Sequence, residues 1–488
     1  MMKRLLAKKW FRISVRVSVG CLSLLVLAWM WFNWWAASRK RLAVAAATHA
    51  GLSLNLEDFS KDMPPPEQNF ARQGIFKQWE DAYEQFRPNV PASPSSPRGI
   101  YESFGDTVFG SVFFKSRRGN PRTAKFSRFP DDSPYGKTAE SFLAEYDRRH
   151  GTVLEELRAG FALPYARRPF LPAAFSGDAS TLPSLSEAFG MRLRSVSQGL
   201  ALRAEAALET GDSAKAAESI EMILRLSEAM GSRGMFVSGL MQAVGIRTAL
   251  MPLERGIREH RWTAADLDRI EAALRRFDIR RTMERAIRSE ILMVHAVERL
   301  KSAPQPGQLG DPRAILEDYE GGDLLEWLLE SRPHWLPDGF FDLSEAVILE
   351  TTQQSSSAIS SLRLGKDWWS AAQDLRRQAE QRWGPGKLAS SFPVGAFGLE
   401  AAAHGTVEIR LALAACALEK YKLQHGIYPE SLDAIDSEVA TDPFHGVLFR
   451  YFVKDDAFRL YSLGPDGIDG GGVSAPMKSD KTQDDWVW

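Results

Sequence analysis

Two cysteines, Cys21 and Cys416, occur in 488 residues. They cannot build a disulfide framework, and both read as small apolar residues. Histidine is also sparse: eight are scattered along the chain, no His-Glu-x-x-His pair occurs, and His404 and His425 lack metal-ligand spacing. There is no Gly-x-Ser-x-Gly elbow, no Ser-x-x-Lys dyad and no Walker loop. Gly470-Gly471-Gly472 lacks the Lys-Ser/Thr that would make it a phosphate cradle. The sequence therefore indicates no catalytic residue and no small-molecule substrate. Net charge is missing as well, with 61 Lys+Arg against 62 Asp+Glu. A nucleic-acid binder needs a basic surface to neutralise phosphates, so that class is excluded.

What is present is a strong segregation of charge. No acidic residue precedes Glu57, and residues 1–56 carry +9. Residues 57–429 sum to −3 and residues 430–488 to −7. Near-neutrality is thus a cancellation between a basic head and an acidic tail. A hydrophobic content of 44% is too high for a disordered chain, and the length suits two to four domains.

The basic head brackets Val17 to Ala37, a run of 21 uncharged residues. A helix of that length spans roughly 30 Å, the hydrocarbon thickness of a bilayer, and inside lipid only a helix or closed barrel satisfies its backbone. Trp29, Trp31, Phe32, Trp34 and Trp35 crowd its C-terminal end, where indoles favour the headgroup level. Six basic residues precede the run and three follow it. The positive-inside rule places the N-terminus in the cytoplasm and residues 42–488 outside, a single-pass protein of the inner (cytoplasmic) membrane. Cleavage after a signal peptide near Ala36-Ala37-Ser38 is the competing reading, and a buried soluble helix is a third. The run is longer than a usual signal h-region, which favours a retained anchor.

The expected fold class is mainly α with an α+β C-terminal domain. Residues 1–41 form the basic head and anchor. Residues 42–184 are rich in proline and read as loop-rich α+β or irregular, with strand-like Val108–Phe114 and helical spacing over Phe142–Leu157. Residues 185–395 read as a helical bundle or solenoid-like domain. Leu185–Leu208 and Ala214–Met230 flank a Gly211-Asp212 break, an αα-hairpin resembling one tetratricopeptide unit. Phe236–Leu253 follows, then a capping box Thr263-Ala-Ala-Asp266 opening another helix, then Arg281–Leu300. A Pro/Gly-rich connection over 301–340 holds short helices such as Leu324–Leu329, and Leu343–Trp383 is helical again.

Residues 396–488 carry the sharpest pattern. Val407, Leu411, Leu413, Ala414, Leu418, Tyr421 and Leu423 lie on one broad face of a helix ending at His425-Gly426. Val447–Val453 and Ala457–Ser462 alternate around Lys454-Asp455-Asp456, a hairpin signature. The ordered elements are Glu408-Ile409-Arg410 with Leu418-Glu419-Lys420-Tyr421, His425-Gly426-x-Tyr428-Pro429, Asp442-Pro443-x-x-Gly446, Tyr461-Ser462-Leu463-Gly464-x-Asp466-Gly467 and a closing acidic-Trp tail. This order resembles the globular part of the major pseudopilin of type II secretion systems, over about 80 residues.

The resemblance implies a pseudopilin-like domain whose last loop binds Ca²⁺. Carried over by position, Leu463 and Ile468 offer carbonyls, Asp466, Asp484 and Asp485 offer carboxylates, and Asp469 is an extra ligand. Ca²⁺ wants six to eight oxygens of these kinds. The sequence departs from the family in two ways. About 17 residues separate Asp466 from Asp484, a longer loop than the resemblance implies, whereas a plain Asp-Gly turn needs no ion. Some 360 residues separate the membrane run from the pilin-like helix, and no prepilin cleavage motif precedes it, so pilus assembly by the usual route is not expected.

The resulting expectation is a membrane-anchored extracytoplasmic binding or structural protein, held in the membrane by residues 17–37 and facing a protein partner at an envelope or secretion site. An extracytoplasmic enzyme with a cleft between 57–180 and the helices is the alternative. A peptide-binding adaptor, needing an apolar groove on 190–300, is another.

Overall fold

The computed structural model describes residues 2–51, 63–74, 76–77, 135–167, 182–231, 236–286, 338–361, 369–374, 377, 394–472 and 485–488. The strand-like Val108–Phe114, the helix at Leu324–Leu329, residues 287–300 and Asp484 lie outside them. The described helices are α1 (Met2–His49), α2 (Ala139–Phe161), α3 (Leu182–Glu209), α4 (Ser213–Gly231), α5 (Phe236–Arg258), α6 (Ala264–Leu274), α7 (Asp338–Ser361), α8 (Val394–His425) and α9 (Ser437–Ala440). The strands are β1 (Arg450–Lys454), β2 (Ala457–Ser462) and β3 (Trp486–Val487). The chain is mainly helical with a small three-stranded antiparallel sheet near its C-terminus, as the sequence predicts, and divides into two compact units.

The larger unit comprises Asn55–Glu290, Ser355–Leu375 and Val394–Trp488. Helices α3 and α4 form the expected hairpin. Gly211 turns the chain with φ of +81°, a region that favours glycine, and Asp212 Oδ1 accepts from Lys215 N at 3.0 Å to cap α4. The capping box is present: Thr263 Oγ1 accepts from Asp266 N, and Asp266 Oδ2 from Thr263 N, both at 3.2 Å. Residues 63–77 lie against α2 through Phe70, whose N–H donates to Tyr165 O at 2.8 Å. Phe70 packs so tightly on Gly160 that a Cβ there would lie 2.0 Å from its ring.

One buried cation ties three helices together. Arg203 on α3 is 1% exposed. Its Nε donates to Asp147 on α2 at 2.7 Å, and Nη1 donates to Ser219 Oγ at 2.7 Å and reaches Glu218 at 3.2 Å, both on α4. A buried charge is tolerated only when paired and hydrogen-bonded in this way.

Helix α8 differs from its expected single apolar face. Ala402, Ala403, Leu411, Ala412, Leu413, Ala414, Ala415, Cys416 and Leu418 are all buried, so the helix is enclosed around most of its circumference. It packs on α5 and α6 and also carries the sheet through β2, where Leu460 is fully buried. Burial raises the pKa of the Cys416 thiol. The hairpin turn places Asp455 at φ +49° and Asp456 at φ +59°, the left-handed pair of a primed turn whose twist suits the strands. β3 adds to β2 with Tyr461 opposite Val487 and Ser462 opposite Trp486.

The smaller unit comprises Met1–Leu54, Ile291–Gln354 and Arg376–Pro393. Here α1 and α7 pack in parallel. Gly339 N donates to Asn33 Oδ1 at 2.6 Å, the Phe32 and Phe340 rings lie 4.9 Å apart, and Gln353 Nε2 donates to Ala46 O at 3.4 Å. Ala36 packs with Leu343 and Val347, and Ala43 and Ala47 with Ala346 and Leu349. Lys40 binds Asp342 at 2.9 Å and the buried Glu345 at 2.6 Å, while Arg39 binds Glu350 at 2.7 Å. Burial works against the Lys40 charge, but the two carboxylates outweigh it and raise its pKa.

Candidate functional site

The C-terminal module is assembled by the motifs singled out in the sequence. Glu419 is 1% exposed on α8. It accepts from Tyr428 OH at 2.5 Å and faces His260 Nδ1 at 3.0 Å, so Glu419 and Tyr428 of two separate motifs lock together. His260 reaches in from the α5–α6 turn with φ of +51°, a strained value for a non-glycine residue. Burial and the Glu419 hydrogen bond raise the Tyr428 pKa. Lys422 joins the cluster, 2.7 Å from Asp456 and 4.6 Å from the Tyr428 ring centroid.

Asp442 locks a second pair of motifs. It is 2% exposed. Its Oδ1 accepts from Phe444 N at 2.7 Å and its Oδ2 from Ser462 Oγ at 2.6 Å. His445 Nε2 meets Gly464 O at 2.7 Å. Burial raises the Asp442 pKa against the pull of those donors.

The glycine-rich loop 463–472 follows. Gly464, Gly467, Gly471 and Gly472 all have φ between +65° and +75°. Asp466 Oδ1 accepts from Ile468 N at 3.0 Å, and the Ile468 side chain is 68% exposed. Leu463 is half-buried. Asp469 faces the sheet: its Oδ1 accepts from Tyr461 OH at 2.8 Å and Gly471 N at 3.0 Å, and its Oδ2 lies 3.2 Å from Arg450 Nε. The Tyr461 hydrogen bond, with Gly471 N behind it, lowers the Asp469 pKa, while burial, joined by Asp469, pushes Tyr461 up to about 12.

Asp485 closes the loop. It is 4% exposed, and its Oδ2 accepts from Gly472 N at 2.8 Å. Its Oδ1 is buried without a hydrogen-bond partner. A Cβ at Gly470 would meet Asp485 Oδ2 at 2.8 Å, so glycine is what lets the carboxylate sit there. Among the described residues no three His, Cys, Asp or Glu side chains are gathered as a metal-ligand group. A buried carboxylate oxygen without a partner is costly, so Asp485 Oδ1 is the atom of this loop with capacity left for a ligand. Asp469 is already engaged by Tyr461, Gly471 and Arg450.

A further ionic cluster adjoins Trp486. Arg247 of α5 binds Glu408 of α8 at 2.6 Å, and His404 lies 3.3 Å from the same carboxylate and 4.7 Å from Trp486, ring to ring. Burial pushes the Glu408 carboxyl up, but His404 and Arg247 pull it down further, leaving it below the usual carboxylate range. Trp486 also meets Trp369 and Phe444 edge-on. His260, Arg247 and His404 had no signal in the sequence. Glu419 enters the sequence reading only as part of the Leu418–Tyr421 element, although a carboxylate inside an apolar helix is a signal for a buried acid.

Where an enzyme cleft was one alternative, residues 63–77 and α2 enclose a cavity of about 210 Å³ lined by Phe70, Gln73, Gly74, Glu156, Leu157 and Gly160. Glu156 is the one titratable group among the described residues that line it. Among residues 193–231 and 238–286, Val244 is the one large apolar side chain that stands exposed. No protein-family model, no curated protein and no solved structure matches the chain.

Proposed function

We propose that the chain is a single-pass, membrane-anchored binding or structural protein, N-terminus inside, with its bulk extracytoplasmic and a pseudopilin-like, Ca²⁺-binding C-terminal module. Its place is at the cell envelope or a secretion-associated site. The reading is supported above all by a contrast between two apolar helices. The most apolar window of Leu399–His425 is 67% buried in protein, whereas that of Arg16–His49 is 0% buried. Leu24, Leu25, Leu27, Trp31 and Trp34 are each more than 60% exposed. Such a surface needs an apolar solvent, and lipid supplies it. In alkaline carbonate extraction the full chain is expected in the membrane pellet, with protease cutting it from outside intact spheroplasts. Release of the full chain by carbonate would sink the anchor.

The calcium part rests on Asp485, whose buried Oδ1 lacks a partner beside a loop of left-handed glycines. Asp485, Asp466 and the carbonyls of Leu463 and Ile468 would hold the ion, with Asp484 from the adjoining segment. Bound Ca²⁺ would supply charge neutralisation to a segment carrying −7. The residues themselves close the loop, since Gly472 N holds Asp485 Oδ2 and Trp486 anchors β3.

A further inference from the structure

We infer that the start of α7 is a second membrane contact, seated in the phospholipid headgroup zone beside the tryptophan belt of α1. The inference rests on the anchor reading above and adds to it a segment 300 residues later in the chain.

The argument is one of depth. The two helices run in parallel, so the beginning of α7 marks the membrane-proximal end of the pair. Its first contacts are Gly339 with Asn33 and Phe340 with Phe32. From Phe32 to the end of the apolar run at Ala37 is about 7.5 Å along a helix. The headgroup layer is itself roughly 5–8 Å deep on each side. With the apolar run filling the hydrocarbon, Phe32 lies below its outer edge, and with the tryptophans at the headgroup level it lies in that layer; at either depth Gly339 and Phe340, which touch Asn33 and Phe32, are inside the membrane.

The chemistry of each level agrees. Phe32, Phe340, Trp31 and Trp35 gather within about one helical turn, with the Trp31 and Trp35 rings 6.2 Å apart. Aromatic rings favour the interface. Asp338, the exposed first residue of α7, lies at the same height, which makes this level hydrated headgroup and not hydrocarbon. Asp342 and Glu345 come one turn and two turns later, and there Lys40 of α1 meets both. The paired charges of the two helices thus lie at one level, beyond the aromatic belt. Apolar contact between Ala36 and Leu343 fills the level between.

The test uses the full-length chain with Cys21→Ala, reconstituted in phosphatidylcholine–phosphatidylglycerol vesicles. A single cysteine is introduced by Leu24→Cys, Asp338→Cys or Thr48→Cys and labelled with an environment-sensitive fluorophore. Cys416 is buried and stays unlabelled in the folded protein. The label at 24 is expected to lose emission to lipids carrying the quencher at the chain end. The label at 338 should lose more to lipids carrying it near the headgroup, and the label at 48 should lose none to either. Quenching at 24 with none at 338 overturns the inference and leaves the anchor standing. No quenching at 24 overturns both.

Discussion

Removing Arg203 tests the account of the helical core. The guanidinium is 1% exposed and binds Asp147, Glu218 and Ser219, so Arg203→Ala leaves two carboxylates without their shared cation. Breaking a buried pair by deleting one partner costs about 3–5 kcal/mol. The low end applies, because Glu218 keeps Arg158 at 2.5 Å, Asp147 keeps Lys215 at 3.3 Å and Ser219 still donates to Lys215 O at 2.9 Å. For a unit of about 350 residues the unfolding entropy is about 0.7 kcal/mol/K, so 3 kcal/mol lowers Tm by about 4 °C. Calorimetry of the purified chain reads the shift. The triple variant Arg203→Met, Asp147→Asn, Glu218→Gln removes all three charges together and should recover most of the loss, since no buried charge is then left without its partner. A single variant within about 1 kcal/mol of wild type, or a triple variant less stable than the single, would refute the reasoning.

Calcium at about ten times a millimolar-class Kd adds about 1.4 kcal/mol, a rise of about 2 °C in Tm over chelator, and Asp485→Asn should abolish it; equal melting curves for wild type in both conditions refute the site. Burial raises the Glu408 carboxyl, but His404 and Arg247 hold it lower on balance. Its contribution to stability is therefore present above the ordinary carboxylate pKa and is lost as pH falls through the depressed value. Arg247→Ala should move the acid-unfolding midpoint to higher pH, and an unmoved midpoint counts against the pairing. Gly160→Ala places a methyl against the buried Phe70 ring and should cost about 1–3 kcal/mol in thermal melts, less in a Phe70→Ala background. Equal cost in both backgrounds would mean that the two residues do not meet.

The elements legible in the sequence are those whose signals are local. Thr263 and Asp266 lie three residues apart and satisfy each other's backbone, and Asp455-Asp456 fits a two-residue turn whatever surrounds it. Helix α8 was read with one apolar face because its second buried side is made by α5 and α6, more than 120 residues earlier. Arg203 was invisible for the same reason, as a mid-helix arginine looks solvated until Asp147 and Glu218 arrive from other helices. Asp469 had the spacing of a ligand. The strand register puts Arg450 opposite Tyr461, and both claim that carboxylate. The two-residue β3 carried too short an alternation to declare itself.

The parallel seam between α1 and α7 makes the intervening chain a closed ring. About 290 residues run from the end of α1 to the start of α7, and joining the ends of so long a segment costs about 5 kcal/mol in chain entropy before any contact rewards it. The ionic and alanine contacts of the seam close that ring without a covalent bond. A single proteolytic nick anywhere in the ring would therefore not divide the molecule. The two fragments would travel together, held by the seam and by the core of the larger unit, and a cleavage visible on a denaturing gel would be silent in the native protein.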